Sequence, residues 1–160
     1  MSYEQLRGTL VGDAKNQEWI NVACAYLENT DLFHSEVISP TVLRALIANC
    51  IMDVAAGTHF IEVGGSIRSM YLVVDGLASC YANNGSHIAD VMPGQVIGIE
   101  ALETDEFIAS YSARAIGLLK VVAITRRAYE SAKQATALEL TQQSISQNPI
   151  APIEIDDDPF

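Results

Sequence analysis

Between residues 54 and 115 this chain sets glycine at both ends of its short apolar runs. Phe60 to Val63 lies between Gly57 and the Gly64-Gly65 pair, and Met70 to Val74 lies between that pair and Gly76. Short β-branched runs punctuated by glycine predict strands joined by tight turns. A second strand pair is expected around Asn83-Asn84-Gly85, because Asn-Gly supplies the positive φ angles that a two-residue hairpin turn requires. Pro93-Gly94-Gln95-Val96-Ile97-Gly98 leads into an acidic loop and a strand from Ser110. The pattern predicts a mainly β fold with flanking helices, its core a small antiparallel barrel or jelly roll.

The flanks read differently. Residues 1 to about 29 carry Leu6, Leu10, Trp19, Val22, Tyr26 and Leu27 at helical spacing, with a candidate break at Gly12-Asp13. Trp19, with no basic neighbour in sequence, reads as a packing anchor. Ser39-Pro40-Thr41 opens a second helix, Ser39 as the cap and Pro40 at the first helical position. Thr125 reads as the cap of a helix continuing to about residue 147, with Ala128, Ala132, Ala135, Leu138 and Ile145 on a loose apolar stripe. That stripe suits either packing on the barrel or pairing with a second copy. The organisation expected is a helical segment over residues 1–50, a β core over 51–124, a helical stretch over 125–147 and an acidic tail over 148–160. The tail holds three prolines and four acids in 13 residues and reads as extended or disordered. Expected core residues are Ile51, Val54, Phe60, Ile61, Val63, Tyr71, Val73, Val91, Met92, Ile97, Leu118, Leu119, Val121 and Val122.

Charge narrows the functional classes. Twenty acids against nine bases give a net charge of −11, and the one adjacent basic pair is Arg126-Arg127. Direct nucleic-acid binding, which needs clustered Lys and Arg to neutralise phosphates, is not expected. Cys24, Cys50 and Cys80 are odd in number and widely spaced, so they read as reduced thiols rather than a disulfide or zinc framework. With no signal-like start and no apolar run approaching the ~20 residues of a membrane span, the expected setting is the cytoplasm.

The order Gly57, Gly64, Tyr71-Leu-Val-Val-Asp-Gly76, the Asn-Gly hairpin and Gly94 to Gly98 resembles the cyclic-nucleotide-binding domain of bacterial catabolite activators, protein kinase A regulatory subunits and nucleotide-gated channels. The resemblance covers about residues 30 to 134. It implies a jelly roll, and a phosphate-binding cassette between Gly98 and Ala115. In that family an aromatic-Gly-Glu opening and a short helix precede Arg-Ser/Thr-Ala. The glutamate accepts a ribose hydroxyl, and the arginine pairs with the cyclic phosphate through its fixed, charged fork.

Carried over residue by residue, the cassette here is Gly98, Ile99, Glu100, Ala101, Ala109 and Ser110. Gly98 fills the cassette glycine. Ile99 stands at the glutamate position, with Glu100 one place late, and Ala109 stands at the arginine position. Glu100, Glu103, Asp105 and Glu106 lie between them without a base, and a phosphate held among carboxylates without an arginine would be costly in a partly desolvated pocket. Arg114 has the other strand parity and is expected to face solvent or an ion pair.

The expectation is a non-enzymatic regulatory or scaffold module that has lost ordinary cyclic-nucleotide binding and acts through protein contacts, on another protein or on a second copy. The alternative is a sensor holding a small molecule, cyclic nucleotide or other, in the same pocket. No cofactor is expected. Cupins of similar architecture bind metal through a His-x-His cluster, whereas His34, His59 and His87 are isolated in sequence. No P-loop, Ser-His-Asp order or paired-carboxylate motif marks an enzyme. A helix-turn-helix is not expected in the stretch after Lys133.

Overall fold

The computed structural model describes residues 3–104 and 106–147, with side chains described over 16–104 and 106–142. Asp105 and the tail at 148–160 lie outside the described residues, as do the side chains of Leu6, Leu10 and Ile145. The elements run α1 (Tyr3–Glu28), α2 (Pro40–Cys50), β1 (Ile51–Val54), β2 (His59–Ile61), β3 (Ser66–Ile67), β4 (Ser69–Asp75), β5 (Ala78–Ala82), β6 (His87–Val91), β7 (Val96–Ile97), β8 (Phe107–Ile108), β9 (Tyr111–Ala115), β10 (Leu119–Thr125) and α3 (Arg126–Gln147). A short 3-10 helix, Ile99–Leu102, joins β7 to β8.

Two four-stranded antiparallel sheets, ordered β1-β10-β4-β7 and β2-β9-β5-β6, carry a jelly-roll fold flanked by helices, and β3 and β8 form a small third sheet. The first sheet is covered on both faces. On one, Met70, Leu72, Val74, Val122 and Ile124 pack with Ile20, Leu27, Phe33, Leu43, Ile47 and Tyr129 from the helical flanks. On the other, Val54, Val73, Leu119 and Val121 meet Ile61, Ala78, Cys80, Ala113 and Ala115 of the second sheet. This double burial explains why β4 is apolar almost without interruption, whereas a sheet with one wet face alternates.

The helix starts follow their caps. Ser39 Oγ accepts the Val42 amide at 3.3 Å, with Pro40 in the first turn, and Thr125 Oγ1 accepts the Ala128 amide at 3.1 Å. Helix α1 is continuous through Gly12-Asp13 rather than broken there, since one glycine costs a helix only about 1 kcal/mol. Trp19 does pack against the helical core, and a basic neighbour reaches it after all: Lys120 Nζ sits 5.7 Å from its ring centre.

Three expected core residues are not core. Val63, Met92 and Leu118 are exposed because each lies just outside a strand, where the backbone leaves the pleat that would aim the side chain inward. The apolar stripe on α3 is rotated as well. Tyr129, Ala132 and Thr136 face the body of the protein, while Ala135 and Leu138 face solvent. Tyr129 donates from its hydroxyl to the Leu32 carbonyl at 2.8 Å, and Thr136 Oγ1 accepts the Ser39 amide at 3.0 Å.

Candidate functional site

The cassette begins where β7 leaves the first sheet. Gly98 takes φ +75°, and a Cβ there would come 2.9 Å from the Ser69 carbonyl oxygen. Only glycine fits both the left-handed backbone and the close approach. The 3-10 helix that follows buries Ala101 and Leu102 and turns Ile99 outward. Ala109 is buried, and its backbone exchanges 2.9 Å hydrogen bonds with Gly64 and Gly65. Ser110 is exposed beside it.

Gly98, Ile99 and Glu100 line a cleft of about 350 Å³ with Cys80, Ile88, Ala89, Val91, Val96, Ile97 and Tyr111. Ala101, Ala109 and Ser110 do not line it. The lining contains one carboxylate, Glu100, and no base. Glu103 and Glu106 are exposed and stand outside it.

Tyr111, which sequence reasoning passed over, is the central polar group. Burial, the Cys80 thiol and the Glu100 carboxylate together push its phenol from the ordinary value of 10 to about 12, against a backbone hydrogen bond with Gly98 that acts the other way. Its sequence signal was the large residue two places after Ala109, in a strand whose other inward residues, Ala113 and Ala115, are small. Because the folded state holds this proton more tightly than the unfolded chain, the contribution to stability is complete below pH 10. It is lost as pH rises through 10 toward about 12. Alkaline absorbance titration should show the Tyr111 phenol ionising near pH 12, with burial also raising Tyr71 and Tyr129 above the ordinary value. Tyr111→Phe should remove that late step.

Burial raises the Cys80 thiol, and the Asp90 charge raises it further, so it is a poor nucleophile at neutral pH. Burial also raises Cys24 and Cys50. Among the described residues, no group of three His, Cys, Asp or Glu is placed to hold a metal ion, and no helix is long and apolar enough to cross a membrane. His87, Asp90 and Ser79 do meet: Asp90 Oδ1 accepts Ser79 Oγ at 2.7 Å and lies 2.7 Å from His87 Nε2. The carboxylate sits between hydroxyl and imidazole, so the histidine is not placed to take the serine proton as a catalytic triad requires.

The jelly roll thus carries a glycine-started helical turn beside a cleft lined by strands of both sheets. The cyclic nucleotide-binding domain family matches residues 51–136, and the chain belongs to that family. No curated protein sequence matches it. Among solved structures, it is similar to a cyclic nucleotide-binding-like protein from Brucella abortus, at 25% identity over 69% of this chain and 97% of that one, with a TM-score of 0.60. It shares its fold with the regulatory domain of Toxoplasma gondii protein kinase A, solved with cAMP, at 15% identity over 82% of this chain and 51% of that one, TM-score 0.54. The fold also occurs in the regulatory subunit of a cAMP-independent protein kinase A from Trypanosoma brucei, at 15% identity over 82% of this chain and 47% of that one, TM-score 0.55.

Proposed function

We propose that this chain is a non-enzymatic regulatory or scaffold module, working in the cytoplasm, that no longer binds cyclic nucleotides in the ordinary way and acts through protein contacts. The observation that carries this reading is the cleft lining, which holds no base, with Ala109 buried at the arginine position. A phosphate monoanion entering there would lose its water and meet the Glu100 carboxylate instead of a cation. The family supports the regulatory character, and a related fold in a protein described as cAMP-independent is consistent with it. The contact surfaces proposed are α3, where Leu138 and Leu140 are exposed, and the acidic tail at 148–160. Light scattering would read self-association, and a pull-down with and without the tail would read docking.

Isothermal titration with cAMP and cGMP tests the proposal. No saturable heat is expected up to about 1 mM ligand, the range of affinities worth about 4 kcal/mol. Micromolar binding that disappears in Glu100→Ala would sink it.

One observation favours a second reading, a sensor for an uncharged ligand. Ile88 is 55% exposed and Ile99 40% exposed at the rim of the same cleft. Two isoleucines left in water beside an apolar hollow suit a neutral, apolar guest. Ile99→Glu would abolish such binding and leave protein contacts intact.

A further inference from the structure

A second hollow lies on the opposite side of the β2-β9-β5-β6 sheet from the cassette. In β9, Ala113 and Ala115 point into the core, so by strand alternation Ser112 and Arg114 point out. Arg114 stands opposite His59 of β2 and Ser79 of β5, and Ser112 stands opposite Tyr81. Together with Asn83 and Glu62 these residues line a hollow of about 590 Å³.

Arg114 is half-buried there, on the outward side that its strand parity suggested, and among the described residues it makes no ion pair. Its guanidinium lies 5.6 Å from the Tyr81 ring centre, and Nη2 makes a long 3.4 Å contact to the Tyr81 hydroxyl. Nε is buried with no hydrogen-bond partner. Lys120 and Lys133, by contrast, each have a carboxylate, Asp53 at 2.8 Å and Glu130 at 3.4 Å. Among the described residues no salt bridge is made by Arg114, although the chain carries eleven more negative charges than positive. A partly desolvated cation without an anion is a costly arrangement. Stacking, rather than a hydrogen-bonded fork, holds it, so the fork remains available to re-aim.

We infer that this outer hollow is an oxyanion site, separate from the cassette, that takes the carboxylate or phosphate group of a small ligand on Arg114. Carboxylates and phosphates match the guanidinium fork in geometry, and Ser112 and Asn83 add neutral donors. Glu62, on the rim, limits the site to a singly charged group, and the negative field of the whole chain keeps binding weak.

Nuclear magnetic resonance on the isotope-labelled full chain tests this, with sodium acetate in one titration and sodium phosphate in another, each against sodium chloride. Saturable shifts of the Arg114 Nε–H group and the Ser112 and Gly85 amides are expected, and the stronger of the two probes tells carboxylate from phosphate. Arg114→Lys should weaken binding about tenfold, because a point charge loses the fork. Glu62→Gln should tighten it about threefold by removing the opposing charge. Shifts no larger than those with chloride, or equal affinity in Arg114→Lys, would overturn the inference. Should Arg114→Lys fail to fold, the exposed Glu62→Gln decides, and unchanged affinity there overturns it too.

Discussion

Gly76→Ala is expected to lower the unfolding free energy by about 3 to 4 kcal/mol, through left-handed strain of about 1 to 2 kcal/mol and a backbone clash. Gly76 closes the turn between β4 and β5 at φ +94°, and a Cβ there would lie 2.6 Å from the Leu118 carbonyl oxygen and 3.2 Å from Leu119 Cα. Both obstacles are main chain at the start of β10, so no rotamer change relieves them. Gly57→Ala is the matched control, with φ +83° and open space around the added carbon. It should show the strain alone, about 1 to 2 kcal/mol. Urea unfolding of the two variants isolates the clash. Equal losses would show that Leu118 does not press on Gly76.

The second large effect is a gain. Combining Ile99→Glu, Ala109→Arg and Tyr111→Ala is expected to improve cAMP affinity by at least about a hundredfold, since each charge-assisted hydrogen bond recovered is worth about 1.5 to 3 kcal/mol. The first change restores the ribose acceptor that the family uses. The second supplies the missing cation, and the third removes a bulky phenol from the cleft lining beside Gly98. Ala109→Arg alone should bind nothing and should destabilise the fold, because Ala109 is 3% exposed and an arginine there must force its charge out of the core. Titration calorimetry on the single and triple variants separates the contributions. If the single arginine binds as tightly as the triple variant, Tyr111 is no barrier and the proposed loss of binding rests on Ala109 alone.

These two cases divide what sequence can and cannot reveal. The glycine frame was legible because glycine reports a backbone requirement, and such requirements are local. The caps at Ser39 and Thr125 were legible for the same reason: the donor amide lies three residues from its acceptor. The vacancies at Ile99 and Ala109 could be read by counting along a motif. Tyr111 could not, because its raised pKa comes from burial, from Cys80 on a neighbouring strand and from Glu100, 11 residues earlier along the chain. Arg114 was placed on the right side of its strand by parity. Its actual neighbour, Tyr81, is 33 residues away, and only the pairing of β5 with β9 brings them together.

By itself, then, the sequence determined where strands turn, where helices start, and that Ile99 and Ala109 stand where the resemblance puts the cassette's glutamate and arginine. All three depend on residue type at fixed short spacing. The tertiary structure decided which apolar residues are core, since Val63, Met92 and Leu118 fall just outside the strands, where no hydrophobicity pattern distinguishes them from strand ends. It also decided that the Tyr111 phenol lines the cleft beside Gly98 and Glu100, and that the Arg114 guanidinium lies against Tyr81 in the outer hollow. Both arise from sheet register, which joins strands far apart in the chain and therefore leaves no mark at short range.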